Sequence, residues 1–186
     1  MTNSNVKIIA CLVGFTVAVV AALTYNGLFG APQKDAELER FIVQKDAEKT
    51  SVIQNLKTEG FIKNTWGFEV ALSRKGAKNI PAGAYKISKA TNAWDIADIF
   101  AGEPYMKWVT IPEGLRKEEI AEILEKELGW TDEEKETWLA KDTTEDQDHT
   151  EGVYFPDTYL IPVDEPTAEV AKRLRAKFEE TFAPYA

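Results

Sequence analysis

The chain is poor in the residues that build metal, redox and nucleophilic centres. Its 186 residues include one cysteine, Cys11, and one histidine, His149. A single cysteine excludes an intramolecular disulfide and any multi-cysteine metal cluster. Ile8-Ile9-Ala10-Cys11 has the outline of a lipoprotein processing site, but in such a site the cysteine follows the apolar run, and here most of the run comes after it. Cys11 therefore reads as a small apolar residue facing lipid or a partner helix. His149 stands among Asp146, Asp148 and Glu151. That setting suits a metal ligand, a proton shuttle or a solvated loop histidine, and the lack of any spaced set of further ligands favours the last. Gly76-Ala77-Lys78 has none of the other elements of a phosphate-binding loop. No metal and no cofactor is expected.

Positive charge is also scarce. Lys and Arg total 22 against 31 Asp and Glu, a formal net charge of -9. Nucleic-acid binding needs a basic footprint to neutralise phosphates, so nucleic acid is excluded as a partner. Much of the acidic excess lies between Glu118 and Glu151, where a charge run reads as a solvated helix face or loop. The 44% apolar content is that of a globular chain with one ordinary domain or two small ones.

What the sequence does have begins at Ile8. From there to Leu23 no ionisable group interrupts the apolar run except the Cys11 thiol. Extended through Thr24 and Tyr25, roughly eighteen residues rising about 1.5 Å each nearly cross a hydrocarbon core of about 30 Å. A core helix of a soluble protein would carry a polar stripe, and a cleaved signal peptide would have a shorter run with a small-x-small site after it. A retained single-pass membrane helix is the expectation. Lys7 and the amino terminus precede the run, while Lys34 after it is mixed with Asp35, Glu37 and Glu39, so the positive-inside rule puts the N-terminus in the cytoplasm. Asn26-Gly27-Leu28-Phe29-Gly30-Ala31-Pro32 is rich in turn residues and should end the helix, leading into a short linker.

The soluble part reads as alternating short strands and helices. Phe41-Ile42-Val43 predicts a strand, and Ala47 to Thr58 a helix with Val52, Ile53 and Leu56 on one face and Gly60 as its cap. Thr65 to Arg74 predicts a second helix with Trp66, Val70 and Phe68 packed inward. Pro81-Ala82-Gly83 turns into a strand over 84–88, and a helix through Trp94, Ala97, Ile99 and Phe100 stops at Gly102. A similar order restarts with a strand over 107–111, the turn Pro112-Glu113-Gly114, and a helix from Arg116 to Leu128 that buries Ile120, Ile123 and Leu124. This weak repeat suits either duplication or the common grammar of small α+β units. Thr131-Asp132-Glu133-Glu134 is a capping box opening a helix toward Leu139. Lys141 to Thr150 predicts a polar surface loop, and a last helix runs from Thr167 through Val170, Leu174 and Phe178, with Arg173, Arg175 and Lys177 on its solvent face.

The densest chemical signal is Glu151-Gly152-Val153-Tyr154-Phe155-Pro156-Asp157-Thr158-Tyr159, which sets two carboxylates among aromatic rings. Dry aromatic surroundings disfavour a carboxylate's charge, so a glutamic acid there stays protonated near neutral pH and can donate to a leaving oxygen. The rings of Tyr154, Phe155 and Tyr159 also offer flat faces for stacking sugars. The same residues equally fit a structural role, as core rings around a proline turn with Asp157 bonding nearby backbone amides.

Glu-Gly-x-x-x-Pro-Asp-Thr-Tyr, preceded by Ile111-Pro112-Glu113-Gly114 and Pro81-Ala82-Gly83-Ala84-Tyr85, resembles the endolytic murein transglycosylase family, called MltG or YceG-like. The anchor-first layout is similar too, and the segment from Phe41 to Gly102 resembles that family's LysM-like region. The resemblance implies an α+β fold. Its expected parts are a cytoplasmic tip and membrane helix over residues 1–30, a juxtamembrane linker over 31–40, a LysM-like subdomain over 41–104, and the start of a catalytic domain over 105–186. Family members are longer, so the remainder of the catalytic domain is expected to be missing.

The resemblance also implies the chemistry. Glu151 is the matching catalytic residue, with Gly152, Tyr154, Phe155, Pro156, Asp157, Thr158 and Tyr159 shaping the site or binding substrate. A lytic transglycosylase needs no second carboxylate, because the muramic acid's own C6 hydroxyl is the nucleophile and a 1,6-anhydro product forms without water. The implied partners are peptidoglycan glycan strands, the membrane and peptidoglycan synthases, with the soluble part outside the cytoplasm. A non-catalytic envelope protein that only binds peptidoglycan is the competing expectation.

Overall fold

The computed structural model describes residues 2–143 and 153–182. Its element order is α1 (Thr2–Phe29), β1 (Leu38–Val43), α2 (Lys49–Thr58), α3 (Thr65–Arg74), β2 (Gly83–Ser88), α4 (Ala93–Ala101), β3 (Met106–Thr110), α5 (Lys117–Leu124), α6 (Asp132–Thr137), β4 (Thr158–Pro162) and α7 (Thr167–Phe182). The fold is α+β, as the sequence indicates. Sheet order follows chain order, β1-β2-β3-β4, with β2 antiparallel to β3 and β3 antiparallel to β4. The chain forms two compact units, the first comprising Met1–Pro81 and Lys86–Glu103, the second Ala82–Tyr85 and Pro104–Ala186.

In the first unit, α1 contains one stretch long and apolar enough to cross a membrane, Lys7–Phe29, with mean hydropathy 2.4. The hydroxyls of Thr16 and Thr24 donate to the carbonyls of Leu12 and Val20 one turn back, so neither adds an unpaired polar group to the helix surface. The helix runs to Phe29 and ends at Gly30, inside the turn-rich stretch Asn26–Pro32, and the Gly30 amide donates to the Asn26 carbonyl. Packing fixes this end. Phe29 is 9% exposed and its ring stacks on Trp94 at 5.0 Å, while Lys63 Nζ donates to the carbonyl and side-chain oxygens of Asn26. Residues beyond the helix are tied down as well, because the Gln33 amide donates to the Lys89 carbonyl and the Ser88 hydroxyl to the Ala36 carbonyl.

The core of this unit is aromatic. Phe41 meets Phe61 and Phe100 edge-on at 5.7 and 5.9 Å, and Phe68 meets Phe100 at 6.1 Å. Val52, Ile53 and Leu56 of α2 are buried as their spacing predicts. On α3 the inward face is Gly67, Phe68, Ala71 and Leu72, whereas Trp66, expected inside, is 58% exposed. Asn64 caps α3 by accepting from the Gly67 amide at 3.0 Å. Gly67 also lets α3 touch α1, since a Cβ there would collide with the Leu28 carbonyl.

The second unit repeats the order strand, helix, helix, strand. Gly129 (φ +77) ends the first helical segment of this unit as Gly60 (φ +82) ends α2, each in the left-handed region that glycine enters without steric cost. Both helices finish in a wide π-type turn, Glu125–Gly129 after α5 and Trp138–Asp142 after α6. The capping box is present, with the Glu134 amide donating to the Thr131 hydroxyl at 3.2 Å and the Thr131 amide to Glu134 at 2.8 Å. That short bond to backbone holds the Glu134 carboxyl below the usual range. Of the run expected as a loop from Lys141 to Thr150, Lys141 and Asp142 belong instead to the second wide turn and Thr143 is buried, while 144–150 lie outside the described residues.

Gly67→Ala should therefore lift α3 from α1 and cost about 1–3 kcal/mol, as overpacking of a closed contact does. Gly27→Ala, where a Cβ meets nothing within 4 Å, should cost nothing. Urea midpoints of the two variants test this, and equal behaviour would contradict the close contact.

Candidate functional site

Glu151 and Gly152 lie outside the described residues, as does His149. The rest of the motif is described, and the frame around it is built by the second unit. Thr158 to Pro162 forms β4, which the sequence reading did not anticipate. It pairs with β3 over five residues, from Met106 opposite Pro162 to Thr110 opposite Thr158. The hydroxyls of Thr110 and Thr158 lie 3.1 Å apart across the pair. One step further the Ile111 amide donates to the Asp157 carbonyl at 2.9 Å. The ladder thus brings Ile111-Pro112-Glu113-Gly114 beside Pro156-Asp157-Thr158-Tyr159, two motifs separated by more than forty positions in sequence. Ala84, from the third motif, pairs with Met106 at the far end of β3.

Burial alternates along β4, with Tyr159 and Ile161 inward and Thr158 outward. Tyr159 is 8% exposed, and its hydroxyl donates to the Phe155 carbonyl at 2.6 Å, closing the Phe155-Pro156-Asp157-Thr158 turn. Burial, then the charge of Asp157, pushes this hydroxyl up to about 12. It is a fixed hydrogen-bond donor at physiological pH, not a proton-transfer group. Asp157 is exposed and its Oδ1 accepts from the Thr158 amide at 2.7 Å, a local turn bond of the kind aspartates make.

Tyr154 is anchored from two sides. Its ring packs against Trp138 at 5.4 Å, and the Arg175 guanidinium lies 5.9 Å from the ring centre. Trp138 is fully buried and also meets Trp130 at 6.2 Å. Trp138 was not singled out in the sequence, and Arg175, expected on the solvent face of α7, is instead partly buried against Tyr154. The available signal for Arg175 was its position four residues after buried Ala171, at the edge of the apolar stripe of α7. Trp138 Nε1 and Arg175 Nε are buried without a hydrogen-bond partner among the described residues. The Phe155 amide donates to the Leu174 carbonyl, and Thr167 donates to Asp142, so α7 holds both flanks of the segment containing Glu151.

A groove of about 510 Å³ runs between β4 and α7, lined by Tyr159, Leu160 and charged residues of α7. Its charges are largely paired: Arg173 with Glu165, Lys172 with Glu169, and Lys177 with Glu180. Hydrogen bonds to their glutamates raise both Arg173 and Lys172 above their ordinary values. Such matched pairs leave the groove suited to polar contact rather than to proton transfer. Among the described residues no group of three or more His, Cys, Asp or Glu is arranged to hold a metal ion.

The sequence matches the YceG-like family over residues 41–186, and the chain belongs to that family. The family links it to murein transglycosylases of the MltG type. Among solved structures, a yceG-like protein from Listeria monocytogenes is similar at 17% identity and a TM-score of 0.41, with 80% of this chain covered. The chain spans 57% of the length of that protein. No curated protein matches it.

Tyr159→Phe isolates the titration of the buried phenol. Below pH 10 the phenol is neutral in both folded and unfolded chain, so wild-type stability does not respond to it. Between pH 10 and about 12 only the unfolded phenol ionises, so wild-type stability falls as pH rises, by up to about 2–3 kcal/mol. Tyr159→Phe lacks that slope. Urea midpoints measured from pH 9 to 12 should show the advantage of wild type shrinking through this window, and parallel curves would refute the assignment.

Proposed function

We propose that the chain is a membrane-anchored endolytic lytic transglycosylase that cuts the β-1,4 bond between muramic acid and glucosamine in nascent peptidoglycan. Glu151 is the catalytic residue. As general acid it protonates the glycosidic oxygen, and the glucosamine leaves with a free 4-hydroxyl. The C6 hydroxyl of the muramic acid attacks C1, and Glu151, now a carboxylate, accepts the hydroxyl proton. One bond to C1 breaks and one forms, the glutamic acid is regenerated, and water takes no part.

The observation that carries this reading is the frame immediately after Glu151. The β3–β4 ladder and the Trp138–Tyr154–Arg175 contacts fix Tyr154 to Tyr159 with buried rings and closed backbone bonds. A proton donor works only when held at the reacting atoms, and a rigid frame next to it in the chain is what such holding requires. Pro156 shapes the turn, and Phe155, partly exposed, offers a ring face to sugar. The apolar stretch of α1 spans the inner membrane with Lys7 on the cytoplasmic side, and the folded units lie outside, where glycan strands and their synthases are.

A second reading is a peptidoglycan-binding protein without catalysis. It is favoured by the first unit, which contains most of the segment read as LysM-like and packs an aromatic core of its own from Phe41, Phe61, Phe68 and Phe100.

Full-length protein in detergent, incubated with peptidoglycan, should release 1,6-anhydromuropeptides detectable by chromatography. Glu151→Gln should lower that release by about 10²–10⁴-fold with circular dichroism unchanged. Undiminished release by the variant would reject Glu151 as the acid. Wild type that pellets with the polymer yet releases nothing would replace the enzyme reading with the binding one.

A further inference from the structure

Trp66 is the one large apolar side chain of α3 that packing leaves exposed, at 58%. Its neighbour Gly67 is pressed against the Leu28 carbonyl in the last turn of α1. Consecutive Cα atoms are about 3.8 Å apart, so the start of the Trp66 side chain lies close to the end of the apolar helix. Lys63, one turn earlier in the chain, reaches Asn26 at the same helix end with both contacts at 3.4 Å. From Lys7 to Leu28 the helix rises about 31 Å at about 1.5 Å per residue, and a hydrocarbon core is about 30 Å thick. With Lys7 at one boundary, Leu28 falls at the other. Trp66 and Lys63 then stand at headgroup depth, where tryptophan and lysine are the preferred anchors, one amphipathic and the other reaching toward phosphate.

The surface around Trp66 fits that neighbour. A shallow depression of about 500 Å³ is lined by Lys49, Trp66, Glu69, Val70, Ser73 and Arg74. Lys49 and Arg74 suit phosphates, Glu69 suits the ammonium of a zwitterionic headgroup, and the indole ring suits the boundary between chain and headgroup. A patch that carries two cations against one anion is notable in a chain of net charge -9. A stacking platform for glycan would also use an exposed tryptophan, but it would not require contact with the end of the apolar helix.

We infer that α3 presents Trp66, with Lys49, Lys63 and Arg74, to the phospholipid headgroups of the membrane that α1 crosses, seating the first unit on the bilayer surface. The inference rests on the reading of α1 as a membrane span. The test uses full-length protein in vesicles of phosphatidylethanolamine and phosphatidylglycerol, with part of the lipid brominated on its acyl chains near the headgroup. Tryptophan emission should be quenched, and Trp66→Phe should lose the larger part of that quenching while its circular dichroism stays the same. Equal quenching in both proteins overturns the seating. Cys11, the single cysteine, reports separately on the span: an impermeant maleimide should label it only after detergent is added. Labelling in intact vesicles overturns the span itself, and the seating with it. If Trp66→Phe leaves quenching unchanged but abolishes an emission shift caused by soluble peptidoglycan fragments, the surface is a glycan platform and the membrane assignment is wrong.

Discussion

The bond from the Ile111 amide to the Asp157 carbonyl continues the β3–β4 ladder one residue beyond the last paired threonines, and the candidate site depends on it. Register in an antiparallel pair is all or nothing, because a slip of one residue turns every side chain to the opposite face. With Thr110 opposite Thr158, Tyr159 and Ile161 face the core and Asp157 is held at the ladder's edge. A slip would expose Tyr159 and Ile161 and strand the Thr158 side chain in a core of rings and aliphatics. The cost of that exchange, about 1.5–3 kcal/mol for each large apolar residue exposed, fixes the register more firmly than any single hydrogen bond does.

The turn before β4 is held with equal economy. The Tyr159 hydroxyl closes back on Phe155, and the Asp157 carboxylate binds the next amide. The buried ring supplies the apolar contact while its oxygen donates to a backbone carbonyl, a combination phenylalanine cannot provide. Tyr154, five positions earlier, uses its ring differently, filling the space between Trp138 and Arg175. The two tyrosines of the motif therefore have separate duties: Tyr159 ties the turn to itself, and Tyr154 ties it to α7 and to the wide turn after α6.

Much of the architecture was legible from periodicity and punctuation. Helices with three or four apolar residues on one face, α2, α4, α5 and α7, lie where their patterns put them, and the Thr131 capping box forms as its spacing requires. The departures share a cause, which is that tertiary packing is invisible to local rules. The turn residues of Asn26–Pro32 showed that α1 would end there, but not that burial of Phe29 against Trp94 and contact of Leu28 with Gly67 would hold that end. Trp66 looks like core, yet the buried face of α3 is set by Phe68 and Leu72, and Trp66 lies about 200° around the helix from Phe68. β4 was hidden because five residues after a proline give too short an alternation to separate from a loop, and its existence depends on β3 as partner. Trp138 was covered only by the helix that the Thr131 capping box opens, although it is the residue around which the second unit's aromatic cluster forms.

The way α1 ends decides how the first unit relates to its anchor. A flexible linker would leave a folded unit free to sample every orientation about the helix end. Here the helix end is itself part of the unit: Phe29 is buried, Gly67 rides on Leu28, Lys63 holds Asn26, and the residues after the helix bond to Lys89 and Ser88. Burying the Phe29 side chain alone is worth about 1.5–3 kcal/mol, enough to make the docked arrangement dominant over a frayed one. In a bilayer the tilt and rotation of a single apolar helix are set by what packs against it and by residues anchored at the interface, not by its length. A unit fused to the helix end therefore constrains the helix as much as the helix constrains the unit, and α3, bearing the contact residue Gly67 and the outward Trp66 side by side, is the element through which that constraint acts.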